Sequence, residues 1–395
     1  MKRTTRVFMH IIATLALAAA IAGCGAGSVT STGGTTGTGG GSGSGGGSGT
    51  TQVAVTVTGT THTFPRGVTS SEFQLEANVT GTTNTGVQWT SSDSNVAAVS
   101  SSGVITPEST GSGPATATIT ATSDADPSVS GTYAVTVDDD FLAEANGVVS
   151  FADVTGNVSN PLTTNDASGA RTVCKYPVFS PDHLEFACLE SATSRVFNIY
   201  QTDGKNVKLI TSFDPSSQMG TNPVDVAIEF YAFTPDGKSL VFNAAEEVAT
   251  GQAQVVDIIN TDGTGLATLF TEPDTVFAGI SVSPKGQIVF YNSNDNEVWE
   301  MNLDGTNAHA LVNQPSVVAF YSPNMNTLYW SDASSTWTMN VKTGSSTEIL
   351  PGYGVLGVAP TGAFILVTDG TNLYTFNPNG GGTPQKVFSA YWASM

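Results

Sequence analysis

The fold of the C-terminal two-thirds of this chain is decided by the stretch Phe233-Thr234-Pro235-Asp236-Gly237, which leads into the apolar run Ser239-Leu240-Val241-Phe242. Proline at the second position of a turn presets φ, and glycine near its end tolerates a positive φ. The stretch therefore predicts a tight turn followed by a β-strand. Related stretches recur around four other prolines, and the five prolines are 54, 49, 39 and 37 residues apart: Pro181, Pro235, Pro284, Pro323 and Pro360.

A second turn recurs between these stretches. It contains Asp-Gly or Thr-Gly and lies at residues 202–204, 261–263, 303–305 and 342–344. Each repeat then has a strand, the proline turn, a second strand, a long connection, a third strand, the glycine turn and a fourth strand. Four antiparallel strands in about 40–45 residues are typical of one blade of a β-propeller.

The proline-turn repeats of residues 171–388 resemble the TolB-type (WD-like) β-propeller family. The resemblance implies that residues 141–395 form such a propeller. Dividing these 255 residues by six leaves about 42 for each blade, so we expect six blades. Strands near Gly147–Phe151 are expected to complete the sixth blade together with Val387–Trp392, because a ring closed by both termini has no open edge. Leu328–Asp332 also resembles the YWTD-type propeller motif, once.

A smaller all-β unit is predicted over residues 52–140. Runs rich in valine and threonine alternate there with turn residues, which is typical of short strands. About seven strands in about 90 residues indicate an Ig-like sandwich. The segments Trp89–Asp93, Ser102–Thr106, Ala117–Ala121 and Val135–Val137 resemble the bacterial Ig-like group 2 family, whose members commonly act as spacers or adhesion modules. No cysteine lies in this unit, so Trp89 and aliphatic side chains are expected to hold the sheets together.

Residues 1–23 have the pattern of an export signal. Three cations precede an apolar run that is short for a membrane span of about 20 residues. The run ends in Ile21–Cys24, which resembles the signal box of bacterial lipoproteins. The resemblance implies that residues 1–23 are removed and that Cys24 carries a lipid; glycine rather than aspartate at position 25 implies the outer membrane. An ordinary secretory signal with an unrelated cysteine is the alternative.

Residues 24–51 are predicted to be a tether, since they are almost entirely glycine, serine and threonine. Such a segment cannot bury enough apolar surface to offset the entropy lost on ordering. A coil of this length reaches roughly 30 Å, which would hold the following units clear of the lipid headgroups.

The charge balance restricts the partners. The 395 residues contain 33 Asp and Glu against 13 Lys and Arg, for a formal net charge of −20. Nucleic-acid binding is not expected, because phosphate contacts need clustered Lys and Arg. The resemblance at Ile21–Cys24 implies attachment to a membrane through the N-terminal lipid, and an envelope protein or glycan is the expected partner.

Cys174 and Cys188 lie on either side of the first proline turn, with Pro181 at their midpoint. In an antiparallel hairpin the two residues face each other, within the Cα separation that a disulfide needs. Export provides an oxidising compartment. A shift of one residue in register would separate them, so two buried thiols are the alternative.

Asp138, Asp139 and Asp140 adjoin the predicted boundary between the two β units. Adjacent carboxylates can offer oxygen ligands to Ca²⁺. The three residues lack the alternating spacing of a calcium loop, and a solvated hinge is the alternative. No other cofactor is expected.

Several enzyme signatures are incomplete. Gly352–Gly357 fits a dinucleotide fingerprint as a string, but Val358-Ala359-Pro360 follows, where phosphate binding would need the N-terminus of a helix. Asp332–Trp337 partly resembles the sialidase-type Asp box, yet residues 141–395 contain only two arginines, too few for a three-arginine clamp. The histidines lack metal-ligand spacing, and no Gly-x-Ser-x-Gly turn occurs.

Three functions remain open at this point. The first is a lipid-anchored, non-catalytic interaction platform, in which the Ig-like spacer holds the propeller outward. The second is a carbohydrate-active lyase or hydrolase, which would use a pair of acids on one propeller face and in which tryptophans such as Trp299, Trp330 and Trp337 would stack on sugars. The third is a structural or assembly factor of the outer membrane.

Overall fold

A computed structural model describes most of the chain after residue 51: residues 52–59, 63–66, 73–108, 115–138, 141–153, 161–191, 194–202, 206–218, 228, 230–248, 251–273, 275–314, 316, 318–332, 334–389 and 392–394. Cys24, Asp139 and Asp140 lie outside the described residues. The described elements are β-strands and one 3-10 helix, Pro215–Ser217, so the chain is all-β. Within these ranges, no helix has the length and apolarity that crossing a membrane requires.

The described residues up to and including Asp138 form eight strands, which we call the N-terminal β unit. They are Ala54–Gly59 (β1), Thr63–Pro65 (β2), Leu75–Thr80 (β3), Val87–Ser91 (β4), Ala97–Val99 (β5), Ile105–Pro107 (β6), Ala115–Ser123 (β7) and Ser130–Asp138 (β8). The sheets have the orders β1-β3, β2-β8-β7-β4 and β5-β6. Strands β2 and β8 are parallel, and the other pairs are antiparallel.

One core holds these sheets together. In β7 the buried residues Ala117, Ile119 and Ala121 alternate with outward-facing threonines, the period-two pattern of a strand with one face on a core. They pack with Phe64 and other side chains from all three sheets, and the half-buried Trp89 packs against the cluster. Apolar packing therefore joins the sheets within the described residues of this unit.

The rest of the chain forms six sheets in succession. Its strands are Phe141–Ala145 (β9), Val148–Ala152 (β10), Lys175–Phe179 (β11), Glu185–Leu189 (β12), Phe197–Thr202 (β13), Val207–Phe213 (β14), Tyr231–Phe233 (β15), Ser239–Val248 (β16), Gly251–Asn260 (β17), Ala267–Pro273 (β18), Phe277–Val282 (β19), Gln287–Asn292 (β20), Glu297–Asn302 (β21), His309–Val312 (β22), Val318–Tyr321 (β23), Thr327–Ser331 (β24), Ser335–Asn340 (β25), Ser346–Pro351 (β26), Gly354–Val358 (β27), Ile365–Thr368 (β28), Leu373–Phe376 (β29), Gln385–Phe388 (β30) and Trp392–Ser394 (β31).

Five of the six sheets are four-stranded antiparallel meanders, each containing one proline turn. They are β11–β14, β15–β18, β19–β22, β23–β26 and β27–β30, and we call them sheets 1 to 5. The remaining sheet has the order β10-β9-β31 and so combines strands that lie far apart in the sequence.

The sheets follow one another in a cyclic order. The first strands of sheets 1 to 5 contact each other in sequence: β11 contacts β15, β15 contacts β19, β19 contacts β23, and β23 contacts β27. Strand β31 contacts both β27 and β11, and thereby returns the chain to its beginning. Successive four-stranded sheets whose first strands surround a common axis are the arrangement of a β-propeller.

The last strand lies later in the chain than the sequence suggested. Val387 and Phe388 belong to β30, the fourth strand of sheet 5. It is the following segment, β31, that pairs with β9, with Ala393 opposite Ala143. Both segments are short and contain apolar residues, so their composition could not distinguish the outer strand of one sheet from the inner strand of the next.

In sheets 1 to 4 a hydroxyl group holds the proline turn; sheet 5 has Ala359 at that position. In sheet 2 the backbone N–H of Ser239 donates to Oγ1 of Thr234 (3.1 Å), and the same hydroxyl donates to Asp236 (2.6 Å). Gly237 then takes φ +69°, the conformation for which glycine is suited. In sheets 1, 3 and 4 a serine hydroxyl accepts the equivalent backbone N–H in place of the Thr234 hydroxyl. We call the end of the ring that carries these turns the turn end.

The opposite end of each sheet carries the connection between its second and third strands, and we call it the loop end. Buried polar groups join neighbouring sheets between the two ends. The amide of Asn243 in sheet 2 donates to the Phe277 carbonyl of sheet 3 (3.1 Å), and the Ser281 hydroxyl donates to the Ala319 carbonyl of sheet 4 (2.6 Å). These bonds fix each sheet against the next at positions from which water is excluded.

Candidate functional site

The loop end carries a recurring polar position. Five residues after the residue whose carbonyl closes the proline turn stand Glu190, Asn292, Asp332 and Asp369 in sheets 1, 3, 4 and 5. Sheet 2 has Ala244 there, inside a hairpin of two ten-residue strands. A carboxylate or amide at this position can accept the backbone N–H groups of the loop that follows.

Asp332 holds the loop of sheet 4. Its Oδ1 atom accepts the backbone N–H groups of Ser334 and Ser335, each at 2.7 Å. Its Oδ2 atom accepts the indole N–H of Trp337 at 2.9 Å. Partial burial would raise the pKa of Asp332, but these hydrogen bonds outweigh it and the pKa lies below its usual value. The segment that partly resembles an Asp box is thus a rigid turn with an ionised carboxylate.

Asp369 does the same in sheet 5. Its Oδ1 accepts the backbone N–H groups of Thr371 (2.8 Å) and Asn372 (2.7 Å), and its Oδ2 accepts the Tyr374 hydroxyl at 2.7 Å. Burial opposes ionisation here too, but the hydrogen bonds from Tyr374 and the loop lower the pKa of Asp369 to about 2. Sheets 4 and 5 therefore share one device, an aspartate bonded to an aromatic donor five residues later.

These two turns are joined into a continuous surface. The Thr336 hydroxyl donates to the Tyr353 carbonyl (2.8 Å), which brings the connection between sheets 4 and 5 against the loop of sheet 4. The Tyr353 ring meets the Tyr374 ring edge-on, with centroids 5.1 Å apart. All three aromatic side chains are half-buried. We call this surface the acidic–aromatic patch: Asp332, Trp337, Tyr353, Asp369 and Tyr374.

The patch has a definite chemistry. It presents two carboxylates that stay ionised at neutral pH beside partly exposed ring faces and edges. Such a surface suits a partner that offers cations or hydroxyl groups to the carboxylates and apolar or sugar faces to the rings. A general acid would need a raised pKa, and both aspartates are shifted the other way.

Sequence reasoning found only part of this patch. Asp332 and Trp337 were singled out, but Asp369, Tyr353 and Tyr374 were not. The signal that would have found Asp369 and Tyr374 is the spacing Asp-x₄-Trp in one repeat and Asp-x₄-Tyr in the next. Trp330 is buried in a core between sheets and stacks under Trp337, with ring centroids 5.4 Å apart, so it is not a surface platform for a sugar. Trp299 is half-buried and packs against the core between sheets 2 and 3.

The inner strands of sheets 1 to 5 carry fewer polar side chains than the loops. Apart from Lys175 and Ser281, the described side chains of β11, β15, β19, β23 and β27 are apolar or aromatic. Lys175 is paired with Glu144 of the three-stranded sheet at 2.9 Å, and Ser281 is bonded as described above. Among their described residues, these inner strands thus carry a single charged side chain, and it is paired.

A groove of about 440 Å³ lies at the turn end between sheets 2 and 3. Thr234, Asp236, Ser239, Lys285 and Leu303 contribute to its wall, and it is wide open to solvent. The Asp236 carboxylate is already engaged by the Thr234 hydroxyl and the Lys238 backbone N–H, which lower its pKa. The polar groups here hold the turn itself.

Cys174 and Cys188 are bonded as a disulfide, with Cα atoms 5.3 Å apart and both side chains fully buried. The expected hairpin register is not the observed one, because Lys175 pairs with Leu189 and a bulge separates this pair from Val178 and Ala187. Cys174 lies just before β11, where this irregularity still brings it against β12.

The aspartate triplet gives no assembled cation site among the described residues. Asp138, at 6% exposure, ends β8, and its carbonyl accepts the backbone N–H of Arg66 (2.8 Å). Asp139 and Asp140 lie outside the described residues. In the part of the chain that the structure covers, no three His, Cys, Asp or Glu side chains come together as metal ligands. Calcium binding at the triplet remains a prediction from the sequence.

Comparisons with known proteins yield structural similarities only. No family model and no curated protein matches the chain. Among solved structures, a nidogen/laminin complex has a TM-score of 0.49 at 14% identity and covers 65% of this chain and 97% of its own. TolB from Acinetobacter baumannii has a TM-score of 0.46 at 13% identity, over 72% and 80%. An oligogalacturonate lyase in complex with manganese has a TM-score of 0.43 at 14% identity, over 61% and 70%.

Proposed function

We propose that this protein is a lipid-anchored component of the bacterial cell envelope, and that its propeller is a non-catalytic binding platform. The acidic–aromatic patch carries the proposal, because it is a preorganised surface with two ionised carboxylates and no raised pKa at either of them. Its partner is an envelope protein or a glycan. Residues 1–23 are the lipoprotein signal, 24–51 the tether, 52–140 an Ig-like spacer and 141–395 a TolB-type propeller.

Six blades are part of the proposal. Sheets 1 to 5 supply five of them, and the sheet β10-β9-β31 supplies the sixth. The backbone N–H of Leu162 donates to the Val149 carbonyl on the free side of β10 (2.8 Å), where a fourth strand of a blade would lie. The cyclic contacts of β31 with β27 and β11 support this count.

Lipid anchoring is proposed from Ile21–Cys24 and the tether. Metabolic labelling with a fatty acid, followed by membrane fractionation, tests it. The wild type should incorporate the label and sediment with outer membranes, and Cys24→Ala should do neither. Sedimentation and labelling of Cys24→Ala at the wild-type level would contradict the proposal.

Patch binding is tested by chemical crosslinking in intact cells. Asp332→Ala/Asp369→Ala should lose a crosslinked envelope protein or glycan that the wild type captures. Asp304→Ala is the matched control, because Asp304 also holds a turn, through Thr306, but lies away from the patch. An equal yield of the same crosslinked product from the wild type and the double variant would remove the patch as the binding site.

The non-catalytic part of the proposal is tested by incubating purified protein with envelope and plant polysaccharides. No new reducing ends or unsaturated products should form. Cleavage that disappears when loop-end carboxylates are replaced would overturn the proposal in favour of a lyase or hydrolase.

A further inference from the structure

Leu184 of sheet 1 belongs to the core of the N-terminal β unit. It lies in the proline turn between β11 and β12, is 8% exposed, and clusters with core residues such as Phe64 and Val137. A side chain from the ring thus completes the core of the unit that precedes it. Removing this leucine side chain from water favours the docked arrangement.

The other repeats show that this leucine is an exception. In each turn, the carbonyl at the start of the second strand or just before it accepts the closing backbone hydrogen bond. The residue that precedes this acceptor is Leu184 in sheet 1, Lys238 in sheet 2, Asn326 in sheet 4 and Ala363 in sheet 5. The last three are exposed. The turn in sheet 3 is one residue shorter. The turn backbone therefore does not need an apolar residue here, and Leu184 is explained by its contact with the N-terminal β unit.

The covalent connection reaches the same end of the ring. Strand β8 ends at Asp138, and β9 begins three residues later at Phe141. Strand β9 lies next to the inner strand β31, as β12 lies next to β11 in sheet 1. Second strands begin at the turn end, so Phe141 lies there as well. Leu184 and the chain connection thus fix the N-terminal β unit to the turn end at two points.

The N-terminus enters this unit at its far end. A Cβ atom on Gly131 would come within 2.8 Å of the Val55 carbonyl oxygen, so the beginning of β1 lies beside the beginning of β8. Strand β8 has nine residues and spans about 30 Å. Its other end, Asp138, is the end that adjoins the ring. The unit therefore stands between the point where the tether arrives and the turn end of the ring.

We infer that the N-terminal β unit is docked on the turn end through Leu184 and moves with the ring as one body. The loop end, with the acidic–aromatic patch, then faces away from the anchor and is the face that an envelope partner meets. The statement that an envelope partner meets the loop end rests on the proposed function, whereas the docking of the N-terminal β unit does not.

Distances between pairs of spin labels test the docking. The protein used is the chain from residue 24 onward with Cys24→Ser. One spin label is attached at Ala125→Cys, in the turn between β7 and β8. The second is attached at either Ala363→Cys or Thr371→Cys. These two sites lie at the turn end and the loop end of the same sheet, and all three are exposed. Both pairs should give narrow distance distributions, with the pair to residue 371 longer by about 15 Å, the length of the four-residue β28 and its turns.

The distance distributions of the wild type are compared with those of Leu184→Lys, since lysine occupies this position in sheet 2. It should broaden both distributions, whereas Leu184→Met should keep them narrow. Thermal unfolding checks that the ring of each variant remains folded. Wild-type distributions as broad as those of Leu184→Lys, or a distance to residue 371 no longer than that to residue 363, would overturn the inference.

The face that meets the partner is tested separately. A polyethylene glycol chain attached at Thr371→Cys should abolish crosslinking in the envelope, and the same chain at Ala363→Cys should leave it intact. Blocking by residue 363 alone would overturn the outward orientation. If docking is observed and the wild type captures no partner at all, the proposed function fails while the docking stands.

Discussion

Asp369 shows how a single loop residue can be both exposed and rigid. Its carboxylate faces solvent, yet the two backbone N–H groups and the Tyr374 hydroxyl fix both oxygens. The ionised form is the one that these donors stabilise, so the pKa falls. A partner would therefore meet a charge whose position is already set, which lowers the entropy lost on binding.

Removing the Tyr374 hydroxyl should make its effect on the pKa of Asp369 measurable. In Tyr374→Phe the pKa of Asp369 should rise from about 2 toward the ordinary 3.8. A lowered pKa stabilises the folded state above the ordinary value, and that contribution is lost as the pH falls through the folded-state value. The wild type should thus exceed Tyr374→Phe in stability at pH 6, and the gap should shrink between pH 4 and pH 2, as urea midpoints would record.

The matched control for this prediction is Tyr353→Phe, in which no hydroxyl donor to Asp369 is lost. Its stability difference from the wild type should not change across the same acidic range. A gap for Tyr374→Phe that stays constant from pH 6 to pH 2 would show that the Tyr374 hydroxyl does not set the pKa of Asp369.

His183, next to Leu184, should respond to pH in a different range. Burial lowers its pKa from 6.5 to about 4, although Asp182 works in the opposite direction, and its ring stacks on Phe179 at 4.3 Å. The unfolded chain takes up a proton before the folded chain does, so this contribution is complete above pH 6.5 and is lost as the pH falls toward 4. His183→Asn, which tolerates the φ of +58°, should flatten the decline in melting temperature between pH 7 and pH 4.

His309→Asn is the matched substitution of an exposed histidine, in β22, with which the slope of His183→Asn is compared. A decline in His183→Asn as steep as in the wild type would assign the acid sensitivity to other groups.

The acidic–aromatic patch also shows which functional residues can be recognised from the sequence alone. Asp332 and Trp337 could be noticed because they resemble a known turn. Asp369 and Tyr374 form the same pair of bonds, but threonine and asparagine replace the serines between them and tyrosine replaces tryptophan. Hydrogen-bond function was preserved while residue identity changed, so a search by identity missed what a search by donor and acceptor spacing would find.

Among the elements, the hairpin β11–β12 is the one with a covalent constraint. Its disulfide closes a separation of 14 residues, for which the chain-entropy model gives about 3 kcal/mol. Cys174→Ala/Cys188→Ala should therefore unfold at a lower urea concentration than the wild type. Both single variants should match the double variant, because either one breaks the same bond. Mass analysis that finds two free thiols in the oxidised, purified wild type would contradict the pairing.

Strands and turns were predictable from the sequence because they depend on local chemistry. Proline and glycine restrict φ within a few residues, and the Pro235 and Pro284 turns formed where those residues required them. The register of β11 with β12 was not predictable, since the bulge beside Lys175 depends on packing from other sheets. The pairing of β31 with β9 joins distant segments and leaves no local pattern.

At the scale of the whole molecule, β31 should control closure of the ring. Deleting residues 391–395 would leave the inner edge of β9 without its partner and remove the contacts of β31 with β11 and β27. An exposed strand edge pairs with other chains. The shortened chain should melt at a lower temperature and form oligomers in light scattering.

A chain with five Gly or Ser residues added after Met395 is the control for this deletion, since it changes the length but keeps β31. It should remain like the wild type. A shortened chain that stays monomeric with an unchanged melting temperature would show that β31 is dispensable for closure.

The closing strand also sets the order in which the protein can be built. Leu142 pairs with Ser394, which the ribosome adds 252 residues later. One edge of β9 therefore remains unpaired throughout the synthesis of sheets 1 to 5. An unpaired strand edge can pair with other chains, and for β9 this exposure during synthesis ends only when β31 has been made.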